Sequence, residues 1–184
     1  MLSVFKKKIT TQSEKKLIEL SKRDSRYFAP LYEKYHEQIF RFVYKRMNDL
    51  DDSSDITSQV FLKALVHIKN YKHTGVPFVA WLYRIAINEI NQYYRDKKKK
   101  RTINISHVDV RNIVNDAEVK YNFEMQDKMI ASLNELDDLK ILLLELRYFE
   151  KRSFKEIASI LNITESNAKI KVYRLLEELQ KKLI

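Results

Sequence analysis

The chain has 184 residues, 45% of them hydrophobic, and a formal net charge of +10. That hydrophobic content supports packed cores and excludes wholesale disorder, while one glycine and two prolines leave little material for tight hairpins or barrels. There is no cysteine, which excludes a disulfide framework and a thiolate metal site.

The charge is uneven. Basic residues outnumber acidic ones seven to three in 1–25 and fifteen to eight in 26–101, are outnumbered eight to four in 102–140, and lead nine to six in 141–184. Two basic blocks therefore flank an acidic middle, and basic surface of this kind attracts phosphate backbones or anionic lipid without choosing between them.

In chain order, residues 1–23 read as a basic N-terminal arm. The apolar run of MLSVFKKKITTQSEKK is too short for a secretory signal, and no segment approaches the roughly 18 consecutive apolar residues that span a bilayer. We therefore expect a cytoplasmic protein with no membrane partner. The Lys6–Lys8 run could touch anionic lipid, but such a run is more often a solvated surface.

Residues 26–48 place Phe28, Leu31, Tyr32, Tyr35, Ile39, Phe42, Val43 and Met47 at helical spacing, which predicts a helix with a wide apolar face. DLDDSSD, 49–55, supplies turn and N-cap chemistry. The next helix puts Ile56, Val60, Phe61, Leu65 and Ile68 on one side. KHTGVP, 72–77, holds the glycine and a proline, so the chain turns there and Pro77 opens a new helix.

That helix, PFVAWLYRIAINEINQYYRDKKKK, carries an apolar face of Phe78, Trp81, Leu82, Ile85, Ala86 and Ile90. Arg84, Asn88, Asn91, Arg95 and Lys98 fall at i, i+4, i+7, i+11 and i+14, one continuous polar stripe. Asparagine is a mediocre helix former, so its place in the stripe points to work beyond propensity. Arg and Lys hold phosphates, Asn reads bases or sugars, and Tyr93 and Tyr94 offer stacking faces. Against this, Trp81 among apolar neighbours reads first as a core residue, and Lys97–Lys100 serve equally as a solvated helix end on the dipole.

From Thr102 the composition turns polar and acidic on balance, and we read 102–124 as a flexible linker. Helical patterning returns with Met129, Ile130, Leu133 and Leu136, and DDLKILLLELRYF reads as a helix buried on most sides. Ser153 and Glu156 then fit the S-x-x-E capping box. Ile157, Ala158 and Leu161 would face inward, Asn162 would take a left-handed turn, and Thr164 would cap a second helix burying Ala168, Val172 and Leu175.

This is the spacing of a helix-turn-helix. Its second helix would expose Glu165, Ser166, Asn167, Lys169, Ile170, Lys171 and Arg174, a set able to reach base edges and phosphates. The plainer alternative is a helical hairpin with a solvated basic face. The expected architecture is thus all-α: two small helical domains, 24–101 and 125–184, joined by an acidic linker.

Chemistry of the catalytic kind is thin. His36, His67, His73 and His107 are scattered without metal-ligand spacing. The Asp cluster at 49–55 precedes a helix as capping residues do, and one glycine leaves no phosphate-cradling loop. We expect no metal, no cofactor and no enzyme.

Together, DLDDSSDITSQVFLKAL, GVPFVAWLYRIAINEINQYYRDKKKK and LDDLKILLLELRYFEKRSFKEIASILNITESNAKIKVYRLL resemble a bacterial RNA polymerase sigma factor of the sigma-70 family, in its small extracytoplasmic-function (ECF) group with regions 2 and 4 alone. The resemblance implies a non-enzymatic initiation factor that binds core RNA polymerase and promoter DNA and helps melt the minus-ten segment.

It implies roles by position. Asp55, Ser58, Gln59, Phe61 and Leu62 match the helix that docks on the polymerase β′ clamp, although the family usually carries a Gln-Glu pair where this chain has Ser58-Gln59. Asn70–Val76, including Tyr71 and His73, match the loop that captures a flipped minus-ten base, and this loop is one residue longer than the commonest pattern. Arg84, Asn88, Asn91, Gln92 and Arg95 match the minus-ten helix. Ser166, Asn167, Lys169, Lys171 and Arg174 match the minus-thirty-five recognition helix. The implied partners are the polymerase β′ clamp and β flap and promoter DNA, with an anti-sigma factor as a further candidate. The acidic linker would thread toward the polymerase cleft or simply space two basic domains. Two rivals stay open at this point: a DNA-binding regulator using only the helix-turn-helix, and a nuclease.

Overall fold

The computed structural model describes residues 11–97, 113 and 123–183. The chain divides into two compact units, Met1–Arg101 and Thr102–Ile184, and the described residues of both are helical with connecting turns. Lys98, most of the linker and Lys6–Lys8 lie outside the described residues.

The first unit begins with α1 (Thr11–Ser21), which falls within the stretch read from sequence as a basic arm. Its Ile18 is 3% exposed and packs into the unit, so from Thr11 on the arm is part of the folded body. A 3₁₀ turn, Ser25–Phe28, is capped by Asp24 and leads into α2 (Ala29–Met47). Pro30 sits in the first turn of α2, where a missing N–H costs nothing.

Asn48 ends α2 in the left-handed conformation (φ 51°) and donates its N–H to the Tyr44 carbonyl at 2.9 Å. Asp49 then caps α3 (Leu50–His67) by accepting the Asp52 N–H at 2.8 Å. The turn read over 49–55 is therefore only Asn48-Asp49. One aspartate is enough to cap, and Asp51 and Asp52 stay inside the first turn, where the helix dipole favours negative charge.

The loop from Tyr71 to Pro77 turns with Gly75 at φ 76°, and α4 (Phe78–Lys97) begins with the Pro77 carbonyl accepting the Ala80 N–H at 3.0 Å. Helices α2, α3 and α4 close on Leu31, Ile39, Val43, Val60, Leu82 and Ile90, all fully buried. Each such side chain contributes on the order of 1.5–3 kcal/mol by leaving water.

The second unit contains α5 (Phe123–Asn134), α6 (Asp138–Leu144), α7 (Phe154–Leu161) and α8 (Glu165–Leu183). Asp137 caps α6 through the Lys140 N–H at 2.9 Å, and the helix runs into a π turn at Glu145–Phe149. Met129, Leu133, Leu146, Ile157, Ala168 and Leu179 form the core. Lys140 reaches Glu178 at 2.7 Å and Lys182 reaches Glu135 at 2.8 Å, tying the last helix to the start of the unit.

Candidate nucleic-acid interface

On α4, burial separates the two faces. Leu82, Ala86 and Ile90 are buried, while Asn88, Gln92 and Arg95 are exposed and Arg84 and Asn91 half-buried. Gln92 holds its neighbours in place: its amide donates to Asp96 at 2.8 Å and its oxygen accepts from the Arg95 guanidinium at 2.5 Å. Glu89, 7% exposed, is paired with Lys63 of α3 at 2.7 Å, which fixes the rotation of α4 about its axis.

Three aromatic readings change. Tyr94 is not a stacking platform: it is 9% exposed and donates its hydroxyl to the Arg46 carbonyl at 2.7 Å, so it belongs to the core. Tyr93 donates its hydroxyl to Asp52, and Lys97 lies over its ring at 5.0 Å. Trp81 is half-buried rather than central, because the core at that level is filled by Phe78, Leu82 and Tyr83.

Trp81 instead packs at 4.9 Å from Tyr71 and 5.4 Å from Phe78, forming an aromatic cluster beneath the loop that precedes α4. Tyr71 is 7% exposed, and burial foremost, with the nearby Glu14 charge, pushes its phenol up to about 12. Lys72, His73, Thr74 and Gly75 are exposed above this cluster. Of the two loop residues singled out from sequence, His73 faces solvent and Tyr71 underpins the loop.

On α3, Asp55, Ser58, Gln59 and Leu62 line one exposed stripe, with Leu62 61% and Val66 62% exposed. Phe61 lies beneath that stripe, lining one groove with Ser58, Leu62 and Tyr32; it is 4% exposed, with its ring 4.8 Å from Tyr32 and 5.9 Å from His36. Tyr32, read as part of the apolar face of α2, is 41% exposed and stands beside that stripe. Sequence reasoning missed Val66 and Tyr32; only their exposure reveals them.

In the second unit the helix-turn-helix forms as its spacing predicts. Ser153 and Glu156 close the capping box, with the Glu156 N–H donating to Ser153 Oγ at 3.2 Å and the Ser153 N–H to Glu156 at 2.9 Å. Asn162 takes φ 56°, and Thr164 Oγ1 accepts the Asn167 N–H at 3.2 Å. Ala168, Val172 and Leu175 are buried. Leu161 is only half-buried, because Ile160 takes the inward place.

Ser166, Asn167, Lys169 and Arg174 are exposed on α8 and Lys171 half-exposed, all on the side away from the core. Ile170 and Tyr173, each 49% exposed, share that side. Arg147 lies 4.5 Å over the Phe154 ring, Phe154 is 6.0 Å from Tyr173, and Lys169 lies 5.8 Å over Tyr173. Cation–π contacts thus hold two cations and two rings along the outer surface of the pair α7–α8.

Among the described residues no three His, Asp or Glu side chains converge where a metal ion could bind, and no helix is long and apolar enough to cross a membrane. The features brought together are polar and basic surfaces on buried scaffolds, in a two-unit all-helical protein with a helix-turn-helix in the second unit.

Comparison with known proteins agrees. Residues 31–100 match the family described as Sigma-70 region 2, and residues 127–179 match Sigma-70, region 4. The chain is 28% identical over 152 residues to ECF RNA polymerase sigma factor SigM of Bacillus subtilis (strain 168), covering 82% of this chain and 91% of that protein. It is 24% identical over 180 residues to ECF RNA polymerase sigma factor SigW of the same organism, covering 92% and 96%. Its fold is similar to that of CnrH, solved in complex with the cytosolic domain of CnrY, with a TM-score of 0.59, 18% identity, and coverage of 90% of this chain and 94% of that one.

The chain belongs to the sigma-70 family of RNA polymerase sigma factors, in its ECF group. It is a DNA-binding initiation factor that works with RNA polymerase, and sigma factors are not enzymes.

Proposed function

We propose that each surface engages a different part of one initiation complex. The α4 stripe of Arg84, Asn88, Asn91, Gln92 and Arg95 lies along minus-ten DNA, and the exposed tip of the preceding loop, His73 included, captures a flipped base over the Tyr71 cluster. Extruding a base costs a few kcal/mol, which a pocket and stacking offset. The observation that carries this reading is the juxtaposition on one helix of a buried apolar face, an exposed amide and guanidinium row, and an exposed loop underlain by aromatic rings.

The outer side of α8, with Ser166, Asn167, Lys169, Lys171 and Arg174, binds the minus-thirty-five element. Asp55, Ser58, Gln59 and Leu62 dock on the β′ clamp, with Phe61 supporting them from beneath, and the second unit sits on the β flap. We take 24–101 and 125–184 as the two promoter-binding domains and 102–124 as the linker. The protein acts in the cytoplasm. CnrH was solved with the cytosolic domain of CnrY, and this supports a protein antagonist for this chain as well.

The test is reconstitution: full-length chain, core polymerase and a promoter library, with factor-dependent transcripts as the readout. Asn88→Ala and Arg95→Ala are expected to slow open-complex formation about tenfold while leaving core binding within about twofold, the former amounting to ~1.4 kcal/mol. Loss of core binding by these variants would show that the α4 face has been assigned to the wrong partner. Tight binding of the free chain to duplex DNA without any binding to core would sink the whole reading.

A further inference from the structure

We propose that Glu14 is a positioning residue: from α1 it holds the start of α4, and so fixes the loop that meets minus-ten DNA. The inference rests on the reading of that loop given above. It concerns a helix that precedes the region 2 match, which begins at residue 31.

Glu14 is 5% exposed, and a buried carboxylate persists only when its charge and lone pairs are satisfied. Three donors from two other segments do this. Lys34 and the Tyr35 hydroxyl, both on α2, donate to Oε2, and the Phe78 N–H donates to Oε1 at 3.3 Å. Phe78 is the first residue of α4, where a backbone N–H has no partner within its own helix and a negative charge is favoured by the dipole. Glu14 thus stands in for a local N-cap, supplied from 64 residues upstream.

Both ends of the loop meet at this point. The Phe78 ring lies 5.2 Å from Tyr71 and 6.1 Å from Tyr35, so the residues that enter and leave the loop share one cluster. The Glu14 charge also reaches Tyr71, where it is the second cause, after burial, of the raised phenol. Residues 72–75 between them are exposed. A loop clamped at both ends and open at its tip loses less freedom on capturing a base than one with free ends. Glu14, anchored through α1 by Ile18, is the clamp.

The experiment uses holoenzyme assembled from core polymerase and the full-length chain. Competition binding is measured on minus-ten single strands that each carry one abasic site. Wild type should show one position where loss of the base weakens binding about tenfold, ~1.4 kcal/mol. Glu14→Ala, and Glu14→Leu, which keeps the volume, should reduce that discrimination to about twofold or less with core binding unchanged. Glu14→Gln keeps an acceptor for the Phe78 N–H and should retain most of it.

A wild type with no sensitive position overturns the base-capture reading itself. A sensitive wild type whose Ala and Leu variants discriminate equally well overturns only the role of Glu14. Amide exchange of the wild-type chain gives an arm that needs no variant. The Phe78 N–H should be protected well above the amides of 72–75, and a rapidly exchanging Phe78 N–H would overturn the clamp.

Discussion

Tyr93 donates its hydroxyl to the Asp52 carboxylate, and this bond foremost, then burial and the Asp52 and Asp49 charges, pushes the phenol up from 10 to about 12. The folded state therefore holds this proton more tightly than the unfolded chain. The contact's stabilisation is whole below pH 10 and is lost as pH rises through about 12. The thermal midpoint of the wild-type chain is expected to fall more steeply over that interval than that of Tyr93→Phe. Parallel profiles would mean that the bond to Asp52 contributes nothing. At this scale the sequence was partly legible. It marked Arg84, Asn88, Asn91 and Arg95 as a stripe, of which Asn88 and Arg95 are exposed and Arg84 and Asn91 half-buried, but it offered Tyr94 to solvent when its hydroxyl is committed to the Arg46 carbonyl. A tyrosine has an apolar body and a polar tip, and only its neighbours decide which one rules.

Among the elements, α7 and α8 were the most legible because their ends are written in short-range chemistry. The Ser153–Glu156 box satisfies two otherwise orphaned donors, and Asn162 closes α7 in the left-handed region. Ser153→Ala should lower the stability of the second unit by ~1 kcal/mol, the usual cost of losing an N-cap. Urea unfolding followed by circular dichroism checks it, and an unchanged midpoint would remove the cap from the account. The start of α3 was less legible, since four aspartates within 49–55 fit a turn as well as a first helical turn. The π turn at Glu145–Phe149 had no signal at all, for residues 141–146 are all buried and a run covered on every side has no apolar stripe whose shift would reveal an extra residue.

For the whole molecule, a net charge of +10 favours association with a polyanion, and the basic side of α8 gives that attraction a surface. If Lys171 and Arg174 contact phosphates, Lys171→Ala and Arg174→Ala should each weaken promoter binding by the holoenzyme across sequences. Each should also reduce the dependence of log affinity on log salt by about one. A loss confined to particular bases at unchanged salt slope would instead make them base readers.

Legible without any fold were the helical class, the order of the helices after α1, the caps of α7 and α8 and the family, because periodicity, capping and family motifs act over a few residues and survive without a partner. The tertiary structure decided which members of each apolar face are covered. Trp81 moves to a cluster under the loop, Phe61 goes beneath Tyr32 and His36, and Leu62 and Val66 stay out. It also brought Glu14 to Phe78, a contact no local pattern encodes, since the acceptor for an orphaned N–H can come from any segment that folding carries within reach.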